Sequence, residues 1–286
     1  MSYSVITHAG KAHIDEILAA AVLAAGLKEF PQEIQRIHPD EAETLVNSGK
    51  LPPNTWVLDC GLQFNPDAKL FDHHQSGDLP STALMLFRHF FPELEETDLG
   101  TYFKLVSNVD TQGALSLDDA SCISESRDYW GFAHQILVRT FEKEPLTILK
   151  LVAAGLEDKI DFESAKKKAA EWAGFPGRIQ CEDVAGVNVL YYTEKPPVEI
   201  FDGLRGIDRS IIEEYEAAAV YGYDKHDSSI RTLYRTDAGH DVLDFTRCSP
   251  WEELFNHKGG FLLRFRPRNP KEWQELIAQS RIEPEE

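Results

Sequence analysis

Ser4-Val5-Ile6-Thr7-His8-Ala9-Gly10-Lys11-Ala12-His13-Ile14-Asp15-Glu16 sets the pattern that the rest of the N-terminal half repeats. An apolar, β-branched run that stops at a histidine reads as a short buried strand giving way to a polar loop. Asp15 to Leu27 then reads as a helix, with Asp15 and Glu16 favourable in its first turn and Gly26 near its end. Working outward, Ile34 to His38 reads as a second strand, and Pro39-Asp40-Glu41 caps a helix through Val46. Thr55-Trp56-Val57-Leu58-Asp59 is a third strand, and Lys69-Leu70-Phe71 a fourth that ends at Asp72. Ser81-Thr82 starts an apolar helix over Ala83 to Phe91. Strands alternating with helices predict an α/β fold with a parallel sheet and helices on both faces.

In such a sheet, ligands bind outside the carboxyl ends of the strands. His8, Asp59 and the triplet Asp72-His73-His74 each fall at a strand end, so one sheet edge collects them. Consecutive carboxylate and imidazole side chains are too crowded and too polar for a core. Together with His13, Asp15 and Asp110 they read as a metal site.

Further along, Tyr129 to about Trp172 has helical periodicity through Ile136, Leu137, Phe141, Ile148, Leu149, Val152 and Leu156. Ala173-Gly174-Phe175-Pro176-Gly177 breaks it. Strand-like runs follow at Val187 to Tyr192, Ala218 to Tyr223, Ile230 to Arg235 and Gly260 to Phe265, with helices near Asp208 to Ala217 and Lys271 to Ser280. The expected division is a metal-binding catalytic domain over 1–177 and a smaller α/β substrate-binding domain over 178–286.

The composition, 42% hydrophobic and 27% charged, sets disordered and collagen-like readings aside. No signal-type apolar stretch precedes the first strand, and the longest apolar run, Ile17 to Gly26, is too short to span a bilayer. Cys60, Cys122, Cys181 and Cys248 lie about 60 residues apart, which suits reduced thiols rather than a zinc knuckle or disulfide framework. A soluble, cytoplasmic protein without a membrane partner is expected, its metal held by imidazole and carboxylate.

A net charge of −19 works against tight binding to long nucleic acid, which depends on many Lys and Arg contacts to phosphates. Short oligonucleotides and phosphorylated small molecules stay open as substrates if positive charge gathers at the site. Lys258 to Arg268 supplies such a stretch, with Lys258, Arg264, Arg266 and Arg268 and no acidic residue.

His8, His13, Asp15, Asp59, His73 and Asp110 offer mixed nitrogen and oxygen ligands that suit Mn²⁺ well, and Mg²⁺, Co²⁺ or Zn²⁺ less closely. Two divalent ions against three carboxylates leave a net charge of about +1 to meet an anionic substrate. A metal pair about 3.5–4 Å apart can share a carboxylate, turn a shared water into hydroxide near neutral pH and clamp the phosphoryl oxygens. Asp59, at the end of a central strand, is the natural bridging carboxylate. Taken singly, each group has a plainer reading: His8 a loop histidine, Asp15 a helix-start residue, Asp59 a strand-end cap, Asp110 a turn residue.

Thr7-His8-x-Gly-x-x-His13-x-Asp15-Glu16, Asp72-His73-His74-Gln75, Ser81-Thr82-Ala83-Leu84 and Asp110 before Thr111-Gln112-Gly113 resemble the motifs of the DHH phosphoesterase superfamily. That superfamily includes RecJ-type exonucleases, family II inorganic pyrophosphatases, oligoribonucleases and cyclic-dinucleotide phosphodiesterases. His13 stands where the first aspartate of the usual motif is found, and this looks like the branch of the melanocyte-proliferating-gene exonucleases. The resemblance covers residues 5 to 113 and implies one metal on His8, His13 and Asp59 and another on Asp15, Asp59, His73 and Asp110. It also implies a catalytic His74 facing the substrate phosphate or leaving oxygen. Asp72 would orient its neighbours, with a simple backbone cap as the alternative.

In the C-terminal half, Asn256-His257-Lys258-Gly259-Gly260-Phe261 resembles the superfamily's glycine-containing phosphate loop, since glycines let backbone N–H groups approach an anion. His257, Lys258, Gly259, Gly260, Arg264 and Arg266 are therefore the candidate substrate-binding residues, against the alternative of a solvated strand with surface arginines. Arg231, Arg235 and His240 are weaker candidates, and Tyr221, Tyr223, Tyr234 and Phe261 could contribute stacking. A homodimer is an open alternative. The leading expectation is a Mn²⁺-dependent phosphodiesterase or 3′→5′ exonuclease on RNA or short oligonucleotides. A small-molecule phosphatase or pyrophosphatase is the alternative, and a non-catalytic metal or nucleotide sensor a third.

Overall fold

The computed structural model describes residues 2–113 and 135–282. The chain forms two compact units, Met1–Glu163 and Ser164–Glu286, and each is described by itself.

The sheet of the first unit has the order β2-β1-β3-β5-β4, with β1 (Ser4–His8), β2 (Glu33–Ile37), β3 (Thr55–Leu58), β4 (Phe64–Asn65) and β5 (Leu70–Phe71). Every pairing is parallel except that of the short edge strand β4 with β5. Helices cover both faces, as the alternating pattern predicts. On one side α1 (Ile14–Leu27), α3 (Thr82–Phe90) and α4 (Asp98–Gln112) pack with Val5, Trp56, Leu58 and Phe71. On the other, α2 (Pro39–Ser48) lays Ala42, Leu45 and Val46 over Ile6, Val57 and Leu70.

α1 is apolar nearly all round, and residues 15 to 25 are buried without a break. A helix of that composition can only lie inside a layer. Gly26 shows how close the packing is: a Cβ there would sit 2.3 Å from the Phe90 ring, so any side chain would push α1 away from α3.

The sequence reading places β1, β2, β3, β5 and the helices α1 to α3 within one or two residues, but reads neither the edge strand β4 nor a helix across 98–112. Leu99, Phe103 and Val106 do form the inward stripe of α4 at helical spacing. Exposed Tyr102, Leu105 and Val109 blur it. Asp110 consequently lies in the last turn of a helix. The helical reading of Tyr129 to Trp172 falls partly outside the described residues, as does Cys122. What is described is a helical run at 135–141 and then α5 (Pro145–Ala173), which starts on a proline whose missing N–H costs a first turn nothing.

The second unit has a six-stranded sheet of order β10-β11-β9-β8-β7-β6. Its strands are β6 (Ile179–Val184), β7 (Val187–Tyr192), β8 (Ala219–Tyr223), β9 (Arg231–Arg235), β10 (Glu252–Asn256) and β11 (Leu262–Arg266). Only β7 and β8 run parallel, and α6 (Phe201–Glu214) makes their crossover. α7 (Glu272–Gln279) packs Trp273, Leu276 and Ile277 against Leu233, Leu263 and Phe265. α6 begins before the predicted Asp208 because Ile200 and Leu204 already anchor its start in a second apolar cluster. β6 and β10, both edge strands, carry too many acids to read as strands. Among the described residues, no helix is long and apolar enough to cross a membrane.

Candidate metal centre

The carboxyl ends of β1, β3 and β5 are adjacent, so the chain leaves the sheet at His8, Asp59 and Asp72 within one small region. Asp59 turns there in the left-handed region (φ 57°), which aspartate tolerates better than most residues. Its amide donates to the Phe71 carbonyl at 2.9 Å, fixing the turn, and its side chain is almost wholly buried.

Three sets of ligand atoms converge, each within 4.8 Å: His8, His13 and Asp59; Asp59, His73 and His74; Asp15, His73 and Asp110. Asp59 and His73 each belong to two sets. All six candidate metal residues are thus brought together. His13 contributes from the N-cap of α1, its ring 5.2 Å from that of His8.

The imidazoles of His8 and His74 are each oriented by a partner. His8 Nδ1 lies 3.0 Å from the carbonyl oxygen of Ala9, which can only accept, so Nδ1 carries a hydrogen and Nε2 faces the cluster. That Nε2 is 2.8 Å from Glu16 Oε2 and 3.5 Å from Asp59 Oδ2. His74 Nδ1 is 2.7 Å from Asp72 Oδ1 and donates to it, which leaves Nε2 as the second nitrogen of a half-exposed ring. Asp72 is fully buried and also accepts the N–H groups of Leu62 (2.7 Å) and His74 (3.1 Å). It therefore both caps the backbone and aims His74.

His73 differs. Its Nε2 is 3.3 Å from Asp59 Oδ1 and 3.2 Å from Asp110 Oδ2, yet makes no aligned hydrogen bond in a buried position. A buried nitrogen with carboxylate oxygens around it and no hydrogen bond is what a cation ligand looks like without its cation.

The electrostatics agree. Burial opposes a charge on His8, but Asp59 and Glu16 outweigh it and lift its pKa from 6.5 to about 10. Burial likewise opposes a charge on His73, and Asp110 and Asp59 also lift it to about 10. Asp59, despite burial, is held well below the usual carboxylate range by His73 and His8. Burial, then the neighbouring Asp59 and Asp110, push Asp15 well above that range. In the protein alone, protons occupy the positions that cations suit.

Sequence reading passes over two members of this network. Glu16 reads as a favourable first-turn residue, yet its side chain is completely buried and contacts His8. Arg36 reads as a strand residue, yet its guanidinium lies 3.1 Å from Glu16 Oε1. An acid in the first turn of a helix that is apolar all round was the available signal, since such a group is buried and needs a partner.

Beside the cluster lies a cleft of about 260 Å³ lined by His8, His13, Asp59, Asp72 and His74, with Asp40 and Glu43 on the α2 wall. Among the described residues, no Lys or Arg lines it.

The candidate substrate residues belong to the second unit. Arg264 pairs with Asp224 at 2.5 Å, and Arg266 pairs with Glu252 at 2.5 Å. Gly259 N–H donates to His257 Nδ1 (3.0 Å) and Gly260 N–H to the His257 carbonyl (2.7 Å), so both amides are engaged within the turn. Lys258 is exposed. Arg235 donates to the carbonyls of Leu243 and Gly259, and His240 lies beside Asp241.

No curated protein matches the chain. Residues 4–85, from β1 into α3, match the family model MYG1_exonuc, described as an uncharacterised protein family (UPF0160); the match spans every candidate metal residue except Asp110.

Proposed function

We propose that the chain is a divalent-metal-dependent phosphoesterase of the DHH type, hydrolysing phosphodiester bonds as a 3′→5′ exonuclease on RNA or short oligonucleotides. The carrying observation is the buried Asp59 carboxylate shared by two imidazole-containing sets, with the unpartnered Nε2 of His73 beside it. The name of the family matched over residues 4–85 supports the exonuclease class.

His8, His13 and Asp59 would hold one ion, and Asp15, Asp59, His73 and Asp110 the other. Mn²⁺ in those positions would supply Lewis acidity toward a phosphoryl oxygen and an activated water. The remaining work falls to the chain. Asp59 stays anionic because His8 and His73 stabilise its charge. Asp72 raises the pKa of His74, whose half-exposed ring lines the cleft, so His74 is the group to protonate the leaving oxygen. Cys60, Cys181 and Cys248 are free thiols, which suits a reducing cytoplasm.

The size of the cleft and the absence of Lys and Arg among its described lining residues favour short substrates, and they also keep a small-molecule phosphatase or pyrophosphatase as a second reading. For Arg264 or Arg266 to grip substrate, their pairs with Asp224 and Glu252 would have to open.

The test is the purified full chain with Mn²⁺ and 5′-labelled oligoribonucleotides, beside pyrophosphate and nucleoside monophosphates. Stepwise shortening from the 3′ end, lost in Asp59→Asn, supports the exonuclease. Phosphate release from the small substrates alone would select the second reading.

A further inference from the structure

The two metal groups are held in place by different parts of the fold. Asp15 receives the N–H groups of Thr82 (2.9 Å) and Ala83 (3.0 Å) at the start of α3. His8 and His13 flank the loop between β1 and α1, and one side chain from the neighbouring strand ties that loop together. Parallel pairing sets Arg36 on β2 opposite Thr7 on β1, one residue before His8. Its Nε donates to Glu16 Oε1 at 3.2 Å and its Nη2 to Glu16 Oε2 at 3.3 Å, while Nη1 donates to the Gly10 carbonyl at 3.3 Å. Glu16 in turn accepts the His13 N–H at 3.3 Å and contacts His8 Nε2 at 2.8 Å. The Arg36 side chain is 11% exposed and that of Glu16 not at all.

Planar Arg36 thus fixes both oxygens of a buried carboxylate, and that carboxylate touches both histidines of the first group. Lysine, a point charge, could not hold Glu16 by two parallel bonds while also reaching Gly10. Glu16 does not join His8, His13 and Asp59 as a fourth converging ligand. Its part is orientation: a carboxylate locked against the His8 imidazole and the His13 amide keeps the loop shaped for a cation.

We propose that Arg36 is a positioning residue for the first metal group, acting through Glu16 on His8 and His13, with no part in the second group of Asp15, His73 and Asp110. The inference rests on the two-metal reading above.

The test uses the full-length chain and counts bound Mn²⁺ by isothermal titration and electron paramagnetic resonance. Asp110→Ala leaves the first group complete, and His13→Ala leaves the second. Arg36→Met is added to each. Mn²⁺ affinity is expected to fall by about 10- to 100-fold in the Asp110→Ala background and to stay within about twofold in the His13→Ala background. Because Arg36→Met strands a buried Glu16, Arg36→Met with Glu16→Gln serves as a second variant free of that unpaired charge, with the same split expected. Millimolar guanidinium ion should restore part of the affinity to Arg36→Ala. Equal loss in both backgrounds, or no loss in either, overturns the role of Arg36. A wild-type chain that binds no Mn²⁺ overturns the two-metal reading itself.

Discussion

The backbone N–H of Thr82 lies 2.9 Å from Asp15 Oδ2 while the hydroxyl of the same residue lies 3.3 Å from Asp59 Oδ1. One residue at the start of α3 therefore bonds two buried carboxylates from different elements. The hydroxyl also reaches the Phe71 carbonyl at 3.3 Å, which ties it to the end of β5.

Thr82→Val keeps the shape and the N–H but removes the hydroxyl, leaving Asp59 and Phe71 short of a donor. The metal-free protein should lose about 1–2 kcal/mol in urea unfolding. Thr82→Ser should lose less than half of that. Equal stability for the Val and wild-type proteins would mean that the hydroxyl bond carries nothing.

Metal affinity should climb with pH. His8 and His73 hold protons up to about pH 10 in the protein alone, and Mn²⁺ must displace them. Apparent affinity should rise by up to about tenfold per pH unit for each proton displaced between pH 6.5 and 9. Titrations in buffers of different ionisation enthalpy would count the protons released. A flat profile would show that the cluster does not exchange protons for metal.

The same protons govern stability without metal. His8 and His73 bind their protons more tightly folded than unfolded, so their contribution is complete below pH 6.5 and is lost as pH rises toward about 10. Asp15, also raised, acts in the same direction: its burial favours the protonated form, and deprotonation on raising the pH weakens the fold. Chelator-treated protein should therefore show a Tm that falls steadily from pH 6.5 to 10, and Mn²⁺ should flatten that slope.

How much of this is legible without coordinates depends on how local each signal is. The parallel strands declare themselves because β1 and β3 are apolar on both faces, and the turn into polar residues at His8, Asp59 and Asp72 marks their carboxyl ends. Glu16 and Arg36 are not legible in this way: their pairing depends on β2 lying beside β1 in one register, a long-range fact. Arg264 and Arg266 sit in a stretch without acids, yet Asp224 and Glu252 meet them across strands. Linear charge density therefore overstates the free positive charge there.

Gly260 is required by the backbone itself, whatever the loop binds. Its φ is +64°, and a Cβ would lie 2.1 Å from Asp244 Oδ1, which is itself held by the Thr246 amide and hydroxyl. Glycine is needed there to let the chain pass a carboxylate. Gly260→Ala should cost about 2 kcal/mol or more, the left-handed strain alone being about 1–2 kcal/mol. Denaturant unfolding would measure it, and Mn²⁺ stoichiometry should stay unchanged.

Asp72 and His74 make the sharpest test of the catalytic assignment. Asp72→Ala leaves the Leu62 and His74 amides without their acceptor, which should destabilise the protein by about 2–4 kcal/mol. It also removes the largest cause of the raised His74 pKa, which should fall back toward 6.5. Nitrogen-detected histidine NMR would follow that titration in the metal-free protein. If His74 donates the proton to the leaving oxygen, kcat in the variant should decline at a lower pH than in wild type while KM moves little. A lowered His74 pKa with an unmoved rate profile would assign the proton to another group, and Asp72 would then be a backbone cap alone.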